Sequence, residues 1–152
     1  MEIERKFLVG ELPFDVKEYP CRHLSQGYIS TDPVIRIREY DENSYELTCK
    51  GRGLMSREEI NLPISREAYE HLSGKVEGRV IKKIRYLIPL ENDLACELDV
   101  FEGDLSPLVL AEVEFDSEEA AGAFTPPLWF GREVTADPAY QNSTLSSQSS
   151  PA

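Results

Sequence analysis

Charged and apolar side chains alternate in residues 1–9 of the chain. Successive side chains of a strand point to opposite faces, so an extended segment here places Glu2, Glu4 and Lys6 on one face. Two carboxylates held that close repel each other, and a bound divalent cation is one reason to place them together. The alternative is an edge strand with one solvated face, because such alternation is common in antiparallel sheets.

The same kind of charged face returns along the chain, always with charges two residues apart. The recurring pairs are Arg36 with Arg38, Lys83 with Arg85, Glu97 with Asp99, and Glu112 with Glu114. Two cations two residues apart lie about 7 Å from each other on a strand, which suits a row of phosphates. Carboxylate pairs suit a hard divalent cation such as Mg²⁺ or Mn²⁺. The pattern therefore indicates a site for a polyanion beside a metal ion.

The segments that carry these pairs are predicted to be strands in nearly unbroken antiparallel order, joined by turns such as 41–43 and 91–93. The eight predicted strands are 1–9, 22–31, 34–40, 44–50, 56–64, 79–88, 94–101 and 108–116. Three short helices are predicted at 66–72, 118–124 and 138–145, the first two capped by Ser65 and Ser117. Residues 10–20 are predicted to be a loop.

Two architectures can use strands with one charged and one apolar face. In a sandwich, two sheets pack apolar face against apolar face. In a closed barrel, the charged faces point inward, and helices cover part of the outside. The charged faces hold mostly Arg, Lys, Glu and Asp, where a solvated face normally mixes in Ser, Thr and Gln. We therefore predict a mainly β (α+β) fold, a closed eight-stranded antiparallel barrel or tunnel with a charged interior and a few short helices outside.

The 152 residues are enough for one domain with a real core. The net charge of −12 argues against nucleic acid or an anionic membrane as the main partner. No apolar run is long enough to cross a bilayer, and no signal peptide is visible. The three cysteines have no metal-binding spacing and fit a reducing compartment, so we expect a cytoplasmic protein.

Taken in order, the charged motifs resemble those of the CYTH superfamily, the triphosphate tunnel metalloenzymes, and most of all its small bacterial inorganic triphosphatases. The ExExK signature of that superfamily matches residues 2–6, and the later motifs match Arg36/Arg38, Lys50, 56–59, 83–85, 97–99 and 112–114. The resemblance implies a tunnel domain over residues 1–145. Residues 146–152 are Ser-rich and have nothing to bury, so they are predicted to be a disordered tail. One departure is Asn61, where members of the superfamily often carry a glutamate.

The resemblance implies transfer of a phosphoryl group to water by charge neutralisation and positioning. The predicted substrate-binding residues are Lys6, Arg36, Arg38, Lys50, Arg57, Lys83 and Arg85, and the predicted catalytic residues are Lys6, Tyr28 and Lys83. The predicted ligands of Mg²⁺ or Mn²⁺ are Glu2, Glu4, Glu59, Asp99, Glu112 and Glu114. At any one position, the alternative is a structural ion pair, and for Tyr28 it is plain packing.

The predicted reaction is the hydrolysis of inorganic tripolyphosphate to pyrophosphate and phosphate, with the substrate free to enter from either mouth of the tunnel. A class IV adenylate cyclase, a thiamine or nucleoside triphosphatase and a non-catalytic polyphosphate-binding module remain alternatives. A nucleobase would need an aromatic or amide platform, for which Tyr40, Phe101 and Gln26 are the few candidates. We expect a small polyanion as the partner, no nucleic acid or membrane, and a homodimer as the assembly.

Overall fold

The structure, a computed structural model, describes residues 1–147. These residues contain nine strands, all in one antiparallel sheet. The strands are β1 (Glu2–Leu8), β2 (Cys21–Thr31), β3 (Val34–Tyr40), β4 (Ser44–Lys50), β5 (Ser56–Arg57), β6 (Glu59–Ile64), β7 (Glu77–Pro89), β8 (Ala95–Phe101) and β9 (Val109–Glu114). The helices are α1 (Arg66–Ser73), α2 (Glu118–Ala123) and α3 (Asn142–Leu145), and short 3₁₀ turns cover Val16–Glu18, Gly103–Leu105 and Pro138–Tyr140.

The sheet curls into a nearly closed barrel, with the strand order β5-β1-β9-β8-β7-β2-β3-β4-β6. The two ends of this order, β5 and β6, follow each other in the chain and are separated by one residue, Glu58. β5 pairs with β1 and β6 pairs with β4, while the Glu58 carbonyl accepts a hydrogen bond from the Gly51 amide outside both ladders. The mainly β barrel is thus confirmed, but the single strand predicted at 56–64 is two strands with different partners.

The hairpin turns are formed by residues that tolerate left-handed backbone conformations. Asp41 and Glu42 join β3 to β4 with φ angles of 53° and 59°, and Asn92 and Asp93 join β7 to β8 with 58° and 59°. Asn and Asp are the non-glycine residues most often found in this region, and the two central residues of a type I′ turn must both adopt it. Both turns lie where the sequence predicted them, so the register of these strands is fixed locally.

Two apolar clusters surround the charged interior. One lies outside the barrel, where Phe7 and Phe115 pack against Phe124 and Phe130 beneath α2. The other fills one end of the barrel. It is built from Tyr28, Val34, Ile81, Phe101, Leu105, Leu110 and Val134, together with Tyr140 and Leu145 from the end of the described chain. Because this second cluster blocks one mouth, the barrel is a cup rather than an open tunnel, and the expectation of entry from either mouth is wrong.

The helices lie partly where they were predicted. Ser65 and Ser117 cap α1 and α2 by accepting hydrogen bonds from the amides of Ala68 and Ala120, and α1 packs Tyr69 on Tyr45 of β4. The third predicted helix, 138–145, is instead a 3₁₀ turn followed by α3. This segment closes one end of the barrel, because Tyr140 and Leu145 anchor it in the apolar cluster there.

The structure differs from the prediction in the loop after β1 and at the start of the C-terminal tail. Residues 10–20 contain the 3₁₀ turn Val16–Glu18, capped by Asp15. Ser146, predicted to begin the tail, is 2% exposed, and its carbonyl accepts a hydrogen bond from the Arg79 amide. Residues 148–152 of the predicted tail lie outside the described residues. None of the helices within residues 1–147 has the length and apolarity to cross a membrane.

Candidate active site in the charged cup

The interior of the barrel holds a cavity of about 210 Å³, which we call the cup. All nine strands contribute to its wall, because every second side chain of each strand points inward. Every predicted site residue lines the cup except Asp99. These residues are Glu2, Glu4, Lys6, Tyr28, Arg36, Arg38, Lys50, Arg57, Glu59, Lys83, Arg85, Glu112 and Glu114. Residues from eight separate strands are thus brought into one small space.

One side of the cup is cationic and carries Arg36 and Arg38 of β3 with Lys83 and Arg85 of β7. Arg38 is 5% exposed, and its pKa is lowered by burial and, after that, by the positive charges of Arg36 and Arg85. Arg36 donates from Nη2 to Thr48 Oγ1 over 3.0 Å, but its buried Nε has no hydrogen-bond partner within residues 1–147. Buried cations that repel one another and leave a donor unused create a binding site for an anion.

Asp99 lies behind this cationic side and does not face the cup. It is fully buried, and its two oxygens contact Arg85 Nε and Nη2 at 2.8 and 2.9 Å and Lys83 Nζ at 2.6 Å. Burial raises the pKa of the Asp99 carboxyl, but the positive charges of Arg85 and Lys83 lower it by a larger amount, so the net shift is downward. This geometry argues against the predicted metal role of Asp99 and makes it the fixed counterion of Lys83 and Arg85.

Lys83 is the most deeply placed cation of the cup, with no exposed side-chain surface. Burial lowers its pKa to about 7, against the opposing effect of Asp99. Its Nζ also donates to Asn142 Oδ1 over 3.1 Å. Neighbouring acceptors therefore stabilise the positive charge of Lys83 against the effect of burial, and an anion bound in the cup would stabilise this charge further.

The other side of the cup is acidic and centres on Glu4 of β1. Glu4 faces Glu114 directly across the β1–β9 pair. Burial, followed by the charge of Glu112, raises the pKa of Glu4 to about 8, and burial followed by Glu2 raises the pKa of Glu114. No hydrogen bond or ion pair between the described residues involves either side chain. Glu4 and Glu114 therefore have no cationic partner among the described residues, just as Arg38 on the cationic side has no carboxylate partner among them.

Glu112 joins the two sides of the cup. Its carboxylate lies 3.6 Å from Lys6 Nζ and 3.8 Å from Arg85 Nη2. Although burial acts in the opposite direction, Lys6 and Arg85 hold the pKa of Glu112 far below its ordinary value. Glu112 is therefore a permanent anion, and it places Lys6 between the acidic and the cationic side.

The seam of the barrel is bridged by a network of ion pairs around Lys50. Its Nζ lies 3.0 Å from Glu2 Oε1 and 3.4 Å from Glu59 Oε2, and Arg57 Nε lies 3.7 Å from Glu2 Oε1. Burial raises the pKa of Glu59, but the hydrogen bonds with Glu2 and Asn61 and the charge of Lys50 lower it to about 2. Asn61 thus serves as a neutral partner that donates to Glu59 over 2.8 Å.

The acidic side fits a divalent cation in donor type and in charge. Glu2, Glu4 and Glu114 present carboxylate oxygens, the ligands that Mg²⁺ and Mn²⁺ prefer. Among residues 1–147, no three acidic, histidine or cysteine side chains stand close enough to form a ready-made metal site. Burial, and after it the charges of neighbouring carboxylates, raises the pKa values of Glu4 and Glu114, and a bound cation would offset both effects.

Several residues of the cup were not predicted from the sequence. Gln141, Asn142 and Ser143 form part of its wall, and Gln26 lies fully buried behind Arg38, whose Nε donates to Gln26 Oε1 over 2.7 Å. Residues 141–143 carry no charge and no strand periodicity, so the sequence offered no signal for them. From the sequence, Gln26 was considered only as a possible platform for a nucleobase, and its contact with Arg38 was not predicted, although Gln26 stands two residues before Tyr28 on the same face of β2.

The sequence matches the CYTH domain family over residues 1–145. The inorganic triphosphatase of Nitrosomonas europaea is 46% identical over 147 residues, which cover 95% of this chain and 95% of that protein. The inorganic triphosphatase of Acetivibrio thermocellus is 39% identical over 149 residues, 95% of this chain and 92% of that protein. A crystal structure of an inorganic triphosphatase, 42% identical, superposes with a TM-score of 0.72 and covers 99% of this chain and 97% of that one.

Proposed function

This chain belongs to the CYTH domain family, and from that premise we propose that it is an inorganic triphosphatase, which hydrolyses tripolyphosphate to pyrophosphate and phosphate with a divalent metal ion. One observation supports this most directly. On the cationic side of the cup, Arg38 has no carboxylate partner among the described residues, and on the acidic side Glu4 and Glu114 have no cationic partner among them. A metal-bound triphosphate supplies both charges at once.

The residues of the cationic side bind the phosphates. Arg36, Arg38 and Arg85 present planar guanidinium groups, which can each contact two phosphate oxygens, whereas Lys83 presents a point charge. Asp99 keeps Lys83 and Arg85 at fixed positions before the substrate arrives. Because these donors are already in place, little reorganisation is needed when negative charge develops on the reacting phosphate.

The residues of the acidic side hold the metal ion, for which we propose Mg²⁺ or Mn²⁺. Glu2, Glu4 and Glu114 are the proposed ligands, and Glu59 and Glu112 lie within the same wall. Bound there, a divalent ion neutralises phosphate oxygens and lowers the pKa of a water molecule. Lys6 stands between this side and the cationic side, next to Glu112, where it can contact the phosphate that is transferred.

A nucleotide cyclase is the alternative that the cup favours least. The aromatic side chains among its described lining residues are Tyr28 and Tyr40. The Tyr28 hydroxyl accepts a hydrogen bond from Gln26, and the Tyr40 hydroxyl contacts Arg38 and Glu46. Tyr28 is buried, and the guanidinium groups of Arg22 and Arg38 lie over the Tyr40 ring, so neither ring offers a free platform for a nucleobase. The apolar cluster also closes the far end of the barrel against a bulky group.

The test is a substrate panel of tripolyphosphate, ATP, thiamine triphosphate and pyrophosphate, each with Mg²⁺ and with Mn²⁺, with all products identified. We expect kcat/KM for tripolyphosphate to exceed that for ATP by at least about 100-fold. A Glu4→Gln variant purified in parallel controls for contaminating phosphatases. If ATP is the best substrate, if cyclic AMP is formed, or if no triphosphate is hydrolysed, the proposal is overturned.

We also propose a cellular location for this protein. Cys21, Cys49 and Cys96 are all free thiols, which supports a reducing compartment such as the cytoplasm. The homodimer, the absence of nucleic acid and membrane partners, and the limits of the domain at residue 145 remain predictions.

A further inference from the structure

The closed end of the cup has a polar floor, formed by Gln141, Asn142 and Ser143. The flanking residues Tyr140 and Leu145 are buried in the apolar cluster that fills the barrel end. These two anchors hold the three polar residues between the apolar cluster and the cavity. The floor therefore sets the depth to which any ligand can enter from the open mouth.

The floor and the adjoining Tyr140 carbonyl contact three of the cations that we expect to bind phosphate. Lys83 Nζ donates to Asn142 Oδ1 over 3.1 Å, Lys6 Nζ donates to the Tyr140 carbonyl over 3.2 Å, and Arg57 Nη2 donates to Gln141 Oε1 over 3.3 Å. All three acceptors are neutral oxygens. They support these cations without neutralising them, so the cations keep their attraction for phosphate.

The orientation of the Asn142 amide is fixed by its partners. Besides Lys83, the fully buried Gln26 donates from Nε2 to Asn142 Oδ1 over 3.4 Å, while Gln26 Oε1 accepts from Arg38. Since two donors point at Oδ1, that atom must be the carbonyl oxygen and the other atom the amine. The Asn142 amine takes part in no hydrogen bond between the described residues, and Asn142 faces the cavity.

We propose that Asn142 is a specificity-determining residue of the triphosphatase proposed above: its amine donates to the terminal phosphate at the floor, and the side chain limits the depth of the cup. The proposal rests on the proposed function. A substrate with one phosphate more cannot move deeper, so its extra phosphate must lie beyond the reach of Arg36, Arg38, Lys83 and Arg85. The missing contacts to these cations make a longer polyphosphate the poorer substrate.

Three variants test the proposal with tripolyphosphate and tetrapolyphosphate as substrates. Asn142→Asp keeps the size of the side chain and an acceptor for Lys83 and Gln26, but replaces the amine with a negative oxygen. Asn142→Ala removes both the donor and the stop. Thr144→Val is the control on the same helix, because Thr144 does not line the cup.

We expect Asn142→Asp to raise KM for tripolyphosphate at least tenfold, with kcat changed less than KM. In Asn142→Ala, the ratio of kcat/KM for tripolyphosphate to that for tetrapolyphosphate should fall at least threefold, and Thr144→Val should match the wild type. Thermal unfolding identifies any variant that fails to fold. If one of the two Asn142 variants does not fold, the result for the other Asn142 variant tests the proposal.

If the wild type hydrolyses tripolyphosphate but both Asn142 variants keep its KM and its substrate ratio within twofold, the floor does not select the substrate, and the inference is overturned. Equal losses on both substrates with unchanged KM would indicate a merely structural role and would also overturn it. If the wild type hydrolyses no tripolyphosphate, the proposed function itself fails.

Discussion

Replacing Glu4 with glutamine should make the metal-free protein more stable and the enzyme nearly inactive. In the folded protein, burial and the charges of Glu112 and Glu2 raise the pKa of Glu4 from 4.5 to about 8. At neutral pH the folded protein thus keeps a proton on Glu4 that the unfolded chain releases. Glu4→Gln removes this penalty because an amide of the same shape carries no charge.

The stability difference has a defined sign and pH window. Below pH 4.5, Glu4 is protonated in both states, and the two proteins should be equally stable. As the pH rises from 4.5 to about 8, the wild type loses free energy of unfolding relative to the variant, and above pH 8 the loss stops growing. One pKa unit corresponds to 1.36 kcal/mol, which sets an upper bound of about 5 kcal/mol. Because the cup admits water, we expect about 1–3 kcal/mol at pH 8.

The assay is urea unfolding in EDTA at pH 5 and pH 8, with Glu11→Gln as the control. Glu11 is an exposed carboxylate in the turn after β1, so its removal changes the net charge equally without touching the cup. In parallel, kcat/KM for tripolyphosphate should fall at least about 100-fold in Glu4→Gln, since the loss of one metal ligand removes several kcal/mol of charge stabilisation. If the two variants show the same pH dependence, or Glu4→Gln keeps normal turnover at limiting metal, the reasoning about Glu4 is refuted.

Three further predictions address other parts of the cup. EDTA should abolish hydrolysis, and added Mg²⁺ or Mn²⁺ should restore it; full turnover in metal-free buffer would contradict the metal site. Asp99→Asn should lower the free energy of unfolding by about 3 kcal/mol in urea melts, because Lys83 and Arg85 lose their buried counterion, while the metal concentration needed for half-maximal activity stays the same; an unchanged melt would contradict its role. Arg36→Ala should raise KM for tripolyphosphate at least tenfold in steady-state kinetics, because Arg36 Nε has no hydrogen-bond partner among the described residues and is available to donate to a phosphate oxygen. An unaltered KM would argue against this contact.

The sequence by itself determined which face of each strand carries the charged side chains. Side-chain direction alternates along every strand whatever its neighbours are, so the spacing of Glu2, Glu4 and Lys6, or of Arg36 and Arg38, already assigns each of them to one face. The choice between barrel and sandwich followed from the residue types on those faces. The resemblance to the CYTH superfamily rested on the same positions, which is why both lines of reasoning led to one set of residues.

The tertiary structure alone decided which of these residues are paired and which are free. Asp99 and Glu112 look alike in the sequence, each being a carboxylate on an inward face, but Asp99 is enclosed by Lys83 and Arg85, whereas Glu112 borders the cavity. Which side chains of neighbouring strands lie beside Asp99 and beside Glu112 depends on the register between the strands, and this register depends on the closure of the whole barrel.

The floor of the cup likewise exists only in the folded protein. Asn142 meets Lys83 across 59 residues of chain, and the Tyr140 carbonyl meets Lys6 across 134. The sequence around 140–143 contains neither charge nor periodicity that points to such partners. The position of this segment is set by the burial of Tyr140 and Leu145 in the apolar cluster at the barrel end. Apolar packing between distant segments has no local sequence pattern, so it appears only in the folded chain.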